Sequence, residues 1–271
     1  FRIAKYVLLR SAIKSKITMK IKTEKEYRAH PALNFSSLSD FDASPSLYLY
    51  NRSKKSKHDG DKLYFHIGSA LDCMLTDSEE EFKKQFVIGT IDSPSGMMGT
   101  FCDSYVHAKI DGMSDSDALH QAYQKSGYRI SKDRVWSDCT SGIGKQYIDE
   151  KLQAYPATYL PKDAGELVKR MWDSINSNPK IVYYFRDEGQ KGIERKFQFP
   201  VLFKTCGVEA KALLDLLFID HNNKKVYPVD LKTTGKRVED FNKSFVSFRY
   251  YLQAAYYSEA VRQWMQLQTM I

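Results

Sequence analysis

Long apolar runs are missing from this chain of 271 residues. None approaches the ~18 consecutive apolar residues that a membrane helix needs, so no helical span is expected. Phe1–Ile17 mixes apolar and basic residues, but Arg10, Lys14 and Lys16 interrupt it and no small-residue cleavage site follows. It does not read as a signal peptide. Cysteine is sparse. Cys73, Cys102, Cys139 and Cys206 stand far apart with no CxxC pair. That excludes zinc-ribbon spacing and leaves free, buried thiols in a reducing cytosol as the expectation. Internal repeats and low-complexity tracts are absent as well.

What is present suits a folded domain. Hydrophobic residues make up 42% and charged residues 27% of the chain, and 18 Tyr with 15 Phe can fill a sizeable core. The formal net charge of +8 favours polyanionic partners, because phosphate contacts release condensed counterions. Met19 precedes a segment that reads like an ordinary beginning, so residues 1–26 are taken as an N-terminal extension. Residues 27–271 then form one domain, with a helical insertion at about 91–161.

Ser36 and Ser37 are placed to cap a short helix, and Ser44-Pro45 opens another segment. Asn51–Lys62 is polar and basic and reads as a surface loop. Tyr64–Leu75 reads as an amphipathic helix. In Asp163–Phe185, Leu167, Val168, Met171, Trp172 and Ile175 recur at helical spacing, and the helix should stop before Pro179. The pattern then changes to alternation. Gly192–Phe203 puts Ile193, Phe197 and Phe199 on one side of a strand. Val208–Asp220 is an apolar strand, and turn residues at His221-Asn222-Asn223 lead into a third. Three strands joined by short turns predict an antiparallel meander. A long helical segment follows Thr234.

Charge inside these apolar strands is costly unless it is paired or bound to metal. Asp215 lies within one strand, and Asp230-Leu231-Lys232 lies at the end of the next. Residues two apart on a strand share a side, so Asp230 and Lys232 point together. Two carboxylates and a lysine on one spot suit phosphodiester hydrolysis. Carboxylates hold Mg²⁺, the ion activates water, and the amine steadies negative charge. Any one of the three alone reads better as half of a salt-bridged strand pair; the full set, crowded by apolar residues and followed by Thr233-Thr234, reverses that preference.

"VDLKTT" (229–234) followed by "YYLQAAYY" (250–257) resembles the D-x-K and Q-x-x-x-Y motifs of RecB-like and RecE-like nucleases in the PD-(D/E)XK superfamily. "SSLSDFDASPSLYLY" (36–50) resembles the Ser-rich start of the RecE-type phage exonuclease domain. "IGSALDCMLTDSEEEFKKQF" (67–86) is similar to its GxAxHxLLLxPExF helix, and "LVKRMWDSINSNPK" (167–180) to the helix before its catalytic sheet. The similarity runs over roughly 27–260, strongest in the last third and patchy between about 91 and 161.

The resemblance implies an α/β (α+β) fold with a restriction-endonuclease-like core, a central mixed β-sheet flanked by helices. It implies Mg²⁺ (Mn²⁺ substituting) held by Asp215, Asp230 and the Leu231 carbonyl, with Lys232 serving the attacking water. Asp72 stands where the family commonly has His and joins the implied metal ligands. Glu194 falls at the family's acidic position on the first strand, as an outer-shell or second-metal group, or as an exposed strand charge. Gln253 and Tyr257, four apart on a helix, sit near DNA or support the site; core packing of Tyr257 is the other reading. The family's basic residue before the first strand Asp is missing, with Leu213 in its place and Lys211 the candidate to compensate. His66 is a packed or surface histidine. The family's iron–sulfur variants cluster three cysteines near the C-terminus, which this chain does not. Lys236, Arg237, Lys243 and Arg249, with Lys54, Lys55 and Lys57, could grip phosphate or be solvated surface.

By the same resemblance the chain is a DNA exonuclease that works from double-strand ends in a bacterial or phage-infected cytoplasm. A single-strand annealing protein as partner and a ring-shaped homo-oligomer belong to that picture. Two rivals stay open: an endonuclease or nickase on the same core, and a non-catalytic protein that binds DNA ends.

Overall fold

Caps and turn residues punctuate the chain into short elements. The computed structural model describes residues 21, 23–53, 62–186 and 189–268. Thr23 and Glu26 each accept from the other's backbone N–H, a capping box that starts α1 (Glu24–Ala29). The N-terminal extension read at residues 1–26 therefore runs into α1. Residues 1–20, with Met19, lie outside the described residues, as do Lys54, Lys55 and Lys57. The cap of α2 (Phe35–Ala43) is Asn34, whose Oδ1 accepts the Ser37 N–H at 2.8 Å, rather than the two serines expected. Pro45 opens α3 (Pro45–Ser53), where a missing N–H costs nothing.

By internal contacts the chain divides into two units, one of residues 58–183 and one of the flanking segments up to 57 and from 184 onward. The first holds α4 (Leu63–Thr76), α5 (Glu79–Gln85), β1 (Phe86–Ile88), α6 (Gly96–Ile110), α7 (Asp115–Ser126), α8 (Lys132–Cys139), α9 (Gly142–Ala154), β2 (Thr158–Leu160) and α10 (Lys162–Asn176). The expected helices at 64–75 and 163–178 correspond to α4 and α10. After Asn178, Pro179 begins a separate short helix, α11 (Pro179–Phe185). β1 and β2 form a two-stranded parallel sheet. Helices α6 to α9 surround Phe101, Val106, Ala118, Val135 and Ile148, while Leu71, Leu160 and Val168 anchor a second cluster. Cys73, Cys102 and Cys139 are buried free thiols here; Cys206 of the other unit is exposed.

The flanking unit contains the expected meander: β3 (Ile193–Thr205), β4 (Val208–Asp220) and β5 (Lys225–Val229), antiparallel in that order. Cys206 and Gly207 join the first two at φ +49° and +79°, the two-residue turn whose twist matches paired strands. Pro200 and Pro228 lie on β3 and β5, the edges of this sheet, where a lost ladder N–H is tolerated. β5 pairs only with 216–220 of β4. Further along, Leu33 bridges to the same strand at Ala210. A 3₁₀ turn (Val238–Asp240) and α12 (Phe241–Ser247) then lead to α13 (Tyr250–Gln268).

From α13, Tyr256, Ala260 and Val261 pack on Val201, Phe203, Ala210, Ala212 and Leu214. Full burial of one such leucine is worth about 1.5–3 kcal/mol. The expected mixed sheet is thus two sheets, one parallel and one antiparallel, each in its own unit; the mixed helix-and-strand class holds. One strand detail differs as well. Gln198 adopts φ +44°, a left-handed kink within β3 that leaves the one-to-one pairing with β4 unchanged on either side. Lys196 Nζ stands 5.9 Å over the Phe199 ring. Among the described residues no helix is long and apolar enough to cross a membrane.

Candidate active site

The middle of one strand, the segment leaving another and one helix supply the polar groups of the sheet unit. Asp215 occupies the middle of β4, between Leu214 and Leu216, both fully buried. Burial pushes its carboxyl up to about 6; the Leu231 N–H opposes that shift, nearby Asp230 adds to it, and Lys232 opposes it. The N–H of Leu231 donates to Asp215 Oδ2 at 2.6 Å, which ties the central strand to the segment leaving β5.

β5 ends at Val229, so the D-x-K motif follows the strand instead of lying within it. Its two charged side chains still meet, with Lys232 Nζ 2.5 Å from Asp230 Oδ2. Gln253, on the first turn of α13, donates from Nε2 to Asp230 Oδ1 at 3.1 Å and lies 2.9 Å from the Tyr257 hydroxyl. The spacing of four places both on one helix face, as the sequence predicts. Tyr257 is held well above the usual phenol range by burial, then by the negative charge of Asp230. The structure therefore brings Asp215, Asp230, Leu231, Lys232, Gln253 and Tyr257 together.

Glu194 stands apart. It pairs across the sheet with Ile219, four residues along β4 from Asp215, about 13 Å at the rise of a strand. Its carboxylate meets Lys196 at 2.5 Å and His221 at 3.3 Å, and Lys196 first, then His221, lowers its pKa. Its reading as a strand charge is the one this geometry favours. Asp72 is half-buried on α4 of the helical unit. His66 shares that helix and lines a small cavity of about 140 Å³ there with Asp103, Tyr147 and Lys151. Lys211 does not turn towards the acidic pair. Its ammonium donates to the carbonyls of Tyr27 and His30, each at 2.7 Å, and ties down the N-terminal segment.

Of the basic residues proposed to grip phosphate, Arg237 pairs with Glu239 at 3.4 Å, Lys243 with Asp240 at 2.7 Å, and Arg249 with Asp42. Lys236 instead lies 5.4 Å above the Phe248 ring. One participant escaped the sequence reading. The ring of Tyr250 underlies the Lys232 ammonium at 5.5 Å. Its signal was the spacing of three to Gln253 on the predicted helix, hidden among a run of tyrosines.

Among the described residues no three His, Cys, Asp or Glu side chains stand together as a ready-made metal group. The donors at this site are two carboxylates and backbone oxygen. All are hard, and burial first, then the like charge of Asp230, raises the pKa of the Asp215 carboxyl. Such a set fits a small oxygen-seeking dication. Compared with protein-family models, curated proteins and solved structures, the chain matches none at significance.

Proposed function

We propose that the sheet unit is a Mg²⁺-dependent phosphodiester hydrolase acting on DNA. The observation that carries this reading is Asp215 and Asp230 side by side, with Lys232 in contact with Asp230. Asp215, Asp230 and the Leu231 carbonyl would hold the ion, and Mn²⁺ would substitute. When bound, the ion supplies Lewis acidity against the phosphoryl group.

The chain's own residues do the rest. Leu231 and Gln253 fix the two carboxylates by the hydrogen bonds described, so neither must reorganise as a substrate arrives. Lys232 directs a cation at the same point. There it can hold the attacking water by its oxygen and counter the charge that grows on the phosphoryl oxygens. Water adds to phosphorus and gives up its protons to solvent, the P–O bond to the leaving sugar breaks, and the leaving oxygen takes a proton from solvent. Tyr250 beneath the ammonium and Tyr257 beside Gln253 limit the freedom of these side chains.

Within this reading the substrate is a double-strand end, and the enzyme is an exonuclease that serves recombination. A restriction-endonuclease-like core, a ring of copies and an annealing partner extend the same proposal. Linear and closed circular duplexes incubated with Mg²⁺ or EDTA test it. Loss of linear DNA alone, and only with Mg²⁺, is the expected result. Cut circles would point to an endonuclease, and binding without cutting to a scaffold. Asp230→Ala should abolish cleavage and leave DNA binding largely intact; wild-type turnover in that variant would refute the assignment.

A further inference from the structure

Beside the acidic pair, the segment from Lys232 to Leu252 exposes more aromatic surface than its fold requires. Phe241, Phe245, Phe248 and Tyr251 are 42%, 37%, 55% and 46% exposed. They are not scattered. Tyr250 lies between Phe241 and Phe248, at ring centroids of 6.2 and 5.7 Å and interplanar angles of 30° and 29°. Phe245 closes the group at 6.2 Å from Phe241 and 6.1 Å from Tyr251. A contiguous exposed patch of rings marks an interaction surface.

Charge indicates which partner. The same segment carries five cations: Lys232, Arg237, Lys243 and Arg249 pair with Asp230, Glu239, Asp240 and Asp42, and Lys236 lies over the Phe248 ring. Two of those cations sit on the rings themselves: Lys232 over Tyr250 and Lys236 over Phe248. Flat π-faces interleaved with cations suit a strand of unpaired nucleotides, whose bases stack while the phosphates meet the ammonium groups. A duplex offers its base faces only at an end. Because Lys232 belongs to both features, the row of rings starts where the proposed chemistry takes place.

We infer that Phe241, Phe245, Phe248 and Tyr250 form a stacking platform for unpaired nucleotides of the strand that enters the Asp215–Asp230–Lys232 centre. This rests on the phosphodiester reading for its direction of entry, but the binding it predicts can be measured without cleavage.

The test uses the full chain in EDTA with a fluorescein-labelled oligothymidylate, a single strand carrying 2-aminopurine, and a blunt duplex of equal length. Wild type should bind the single strands and quench 2-aminopurine as the base stacks. Phe248→Ala should weaken single-strand binding about tenfold, the size of one lost base–ring stack, and relieve the quenching. Phe248→Trp should restore both, and duplex affinity should stay within twofold in either variant. Lys236→Ala should flatten the logarithmic salt slope by about 0.7.

Equal single-strand affinity in wild type and Phe248→Ala would overturn the platform, as would no single-strand binding by wild type. So would a wild-type dimer that Phe248→Ala converts to monomer, since a second copy would then cover the rings. Cleavage of linear duplex in Mg²⁺ is scored separately. Cutting with unaltered Phe248→Ala binding sinks the platform alone, and Phe248-dependent binding without cutting sinks the hydrolase reading alone.

Discussion

Replacing Gln253 with alanine should loosen Asp230 while leaving the helix that carries it intact, since alanine is the strongest helix former. The variant loses the donor 3.1 Å from Asp230 Oδ1. A hydrogen bond to a charged group contributes ~1.5–3 kcal/mol. The Asp230 side chain is 23% exposed, so the lower end of that range applies, ~1.5 kcal/mol or about tenfold in an equilibrium constant. The half-buried Tyr257 hydroxyl also loses its neighbour at 2.9 Å, which should cost ~1 kcal/mol of stability and lower Tm by about 2–4 °C. The assay is cleavage of linear duplex as Mg²⁺ is titrated. Its midpoint should rise about tenfold in Gln253→Ala. Gln263→Ala is the control. On the same helix, Gln263 bonds the Lys204 backbone and Glu259 among the described residues, so it should lower Tm without moving the midpoint. A midpoint within twofold of wild type in Gln253→Ala, or an equal shift in the control, would show that Gln253 does not position the acidic pair.

Three further outcomes follow from the packing. Lys211→Met keeps the bulk but removes the ammonium that donates to the carbonyls of Tyr27 and His30; calorimetry should show ~2–4 kcal/mol of lost stability and a Tm lower by roughly 5–10 °C, and an unchanged Tm would contradict the anchoring role. A thiol reagent at pH 8 should modify exposed Cys206 quickly and the buried three only on unfolding, since burial pushes Cys73 and Cys102 up to about 12; mass spectrometry of the labelled protein checks the order. Glu150 accepts from Thr90 first, and from Tyr159 and Gln146, which lowers its pKa from 4.5 to about 2. Because the folded value is depressed, its stabilising effect is complete above about pH 4.5 and is lost as pH falls towards 2. Allowing for partial exposure, ~1–2 kcal/mol is at stake, and Glu150→Gln should flatten acid unfolding in that window; identical acid curves would count against the network.

The sheet unit was largely legible because its signals are local. Alternation in 192–203, turn residues at 221–223 and the apolar stretch of 208–220 together define the meander. The Asp230–Lys232 contact forms although its strand premise does not hold, since β5 ends at Val229. The kink at Gln198 left no trace, since glutamine carries no preference for a positive φ. In the helical unit, α6 buries Gly99, Phe101, Cys102, Ser104, Tyr105, Val106 and Ala108. Buried residues thus occur all round that helix, and no single apolar stripe marks it. β1 and β2 are three residues each and pair across a long stretch of chain, so periodicity has nothing to register. Position in the family pattern suggested Glu194, but pattern cannot report that Lys196 and His221 already engage its carboxylate.

The N-terminal anchor also sets an order of events during synthesis. The bond from Lys211 to the Tyr27 carbonyl spans 184 residues, and the contact between Tyr256 and Leu33 spans 223. Neither can form until the intervening chain has left the ribosome, whereas residues 58–183 are contiguous and have emerged in full before β4 does. The helical unit is therefore free to fold first. The opening segment must wait, its bridging edge at Leu33 unpaired, until the last third of the polypeptide arrives to receive it.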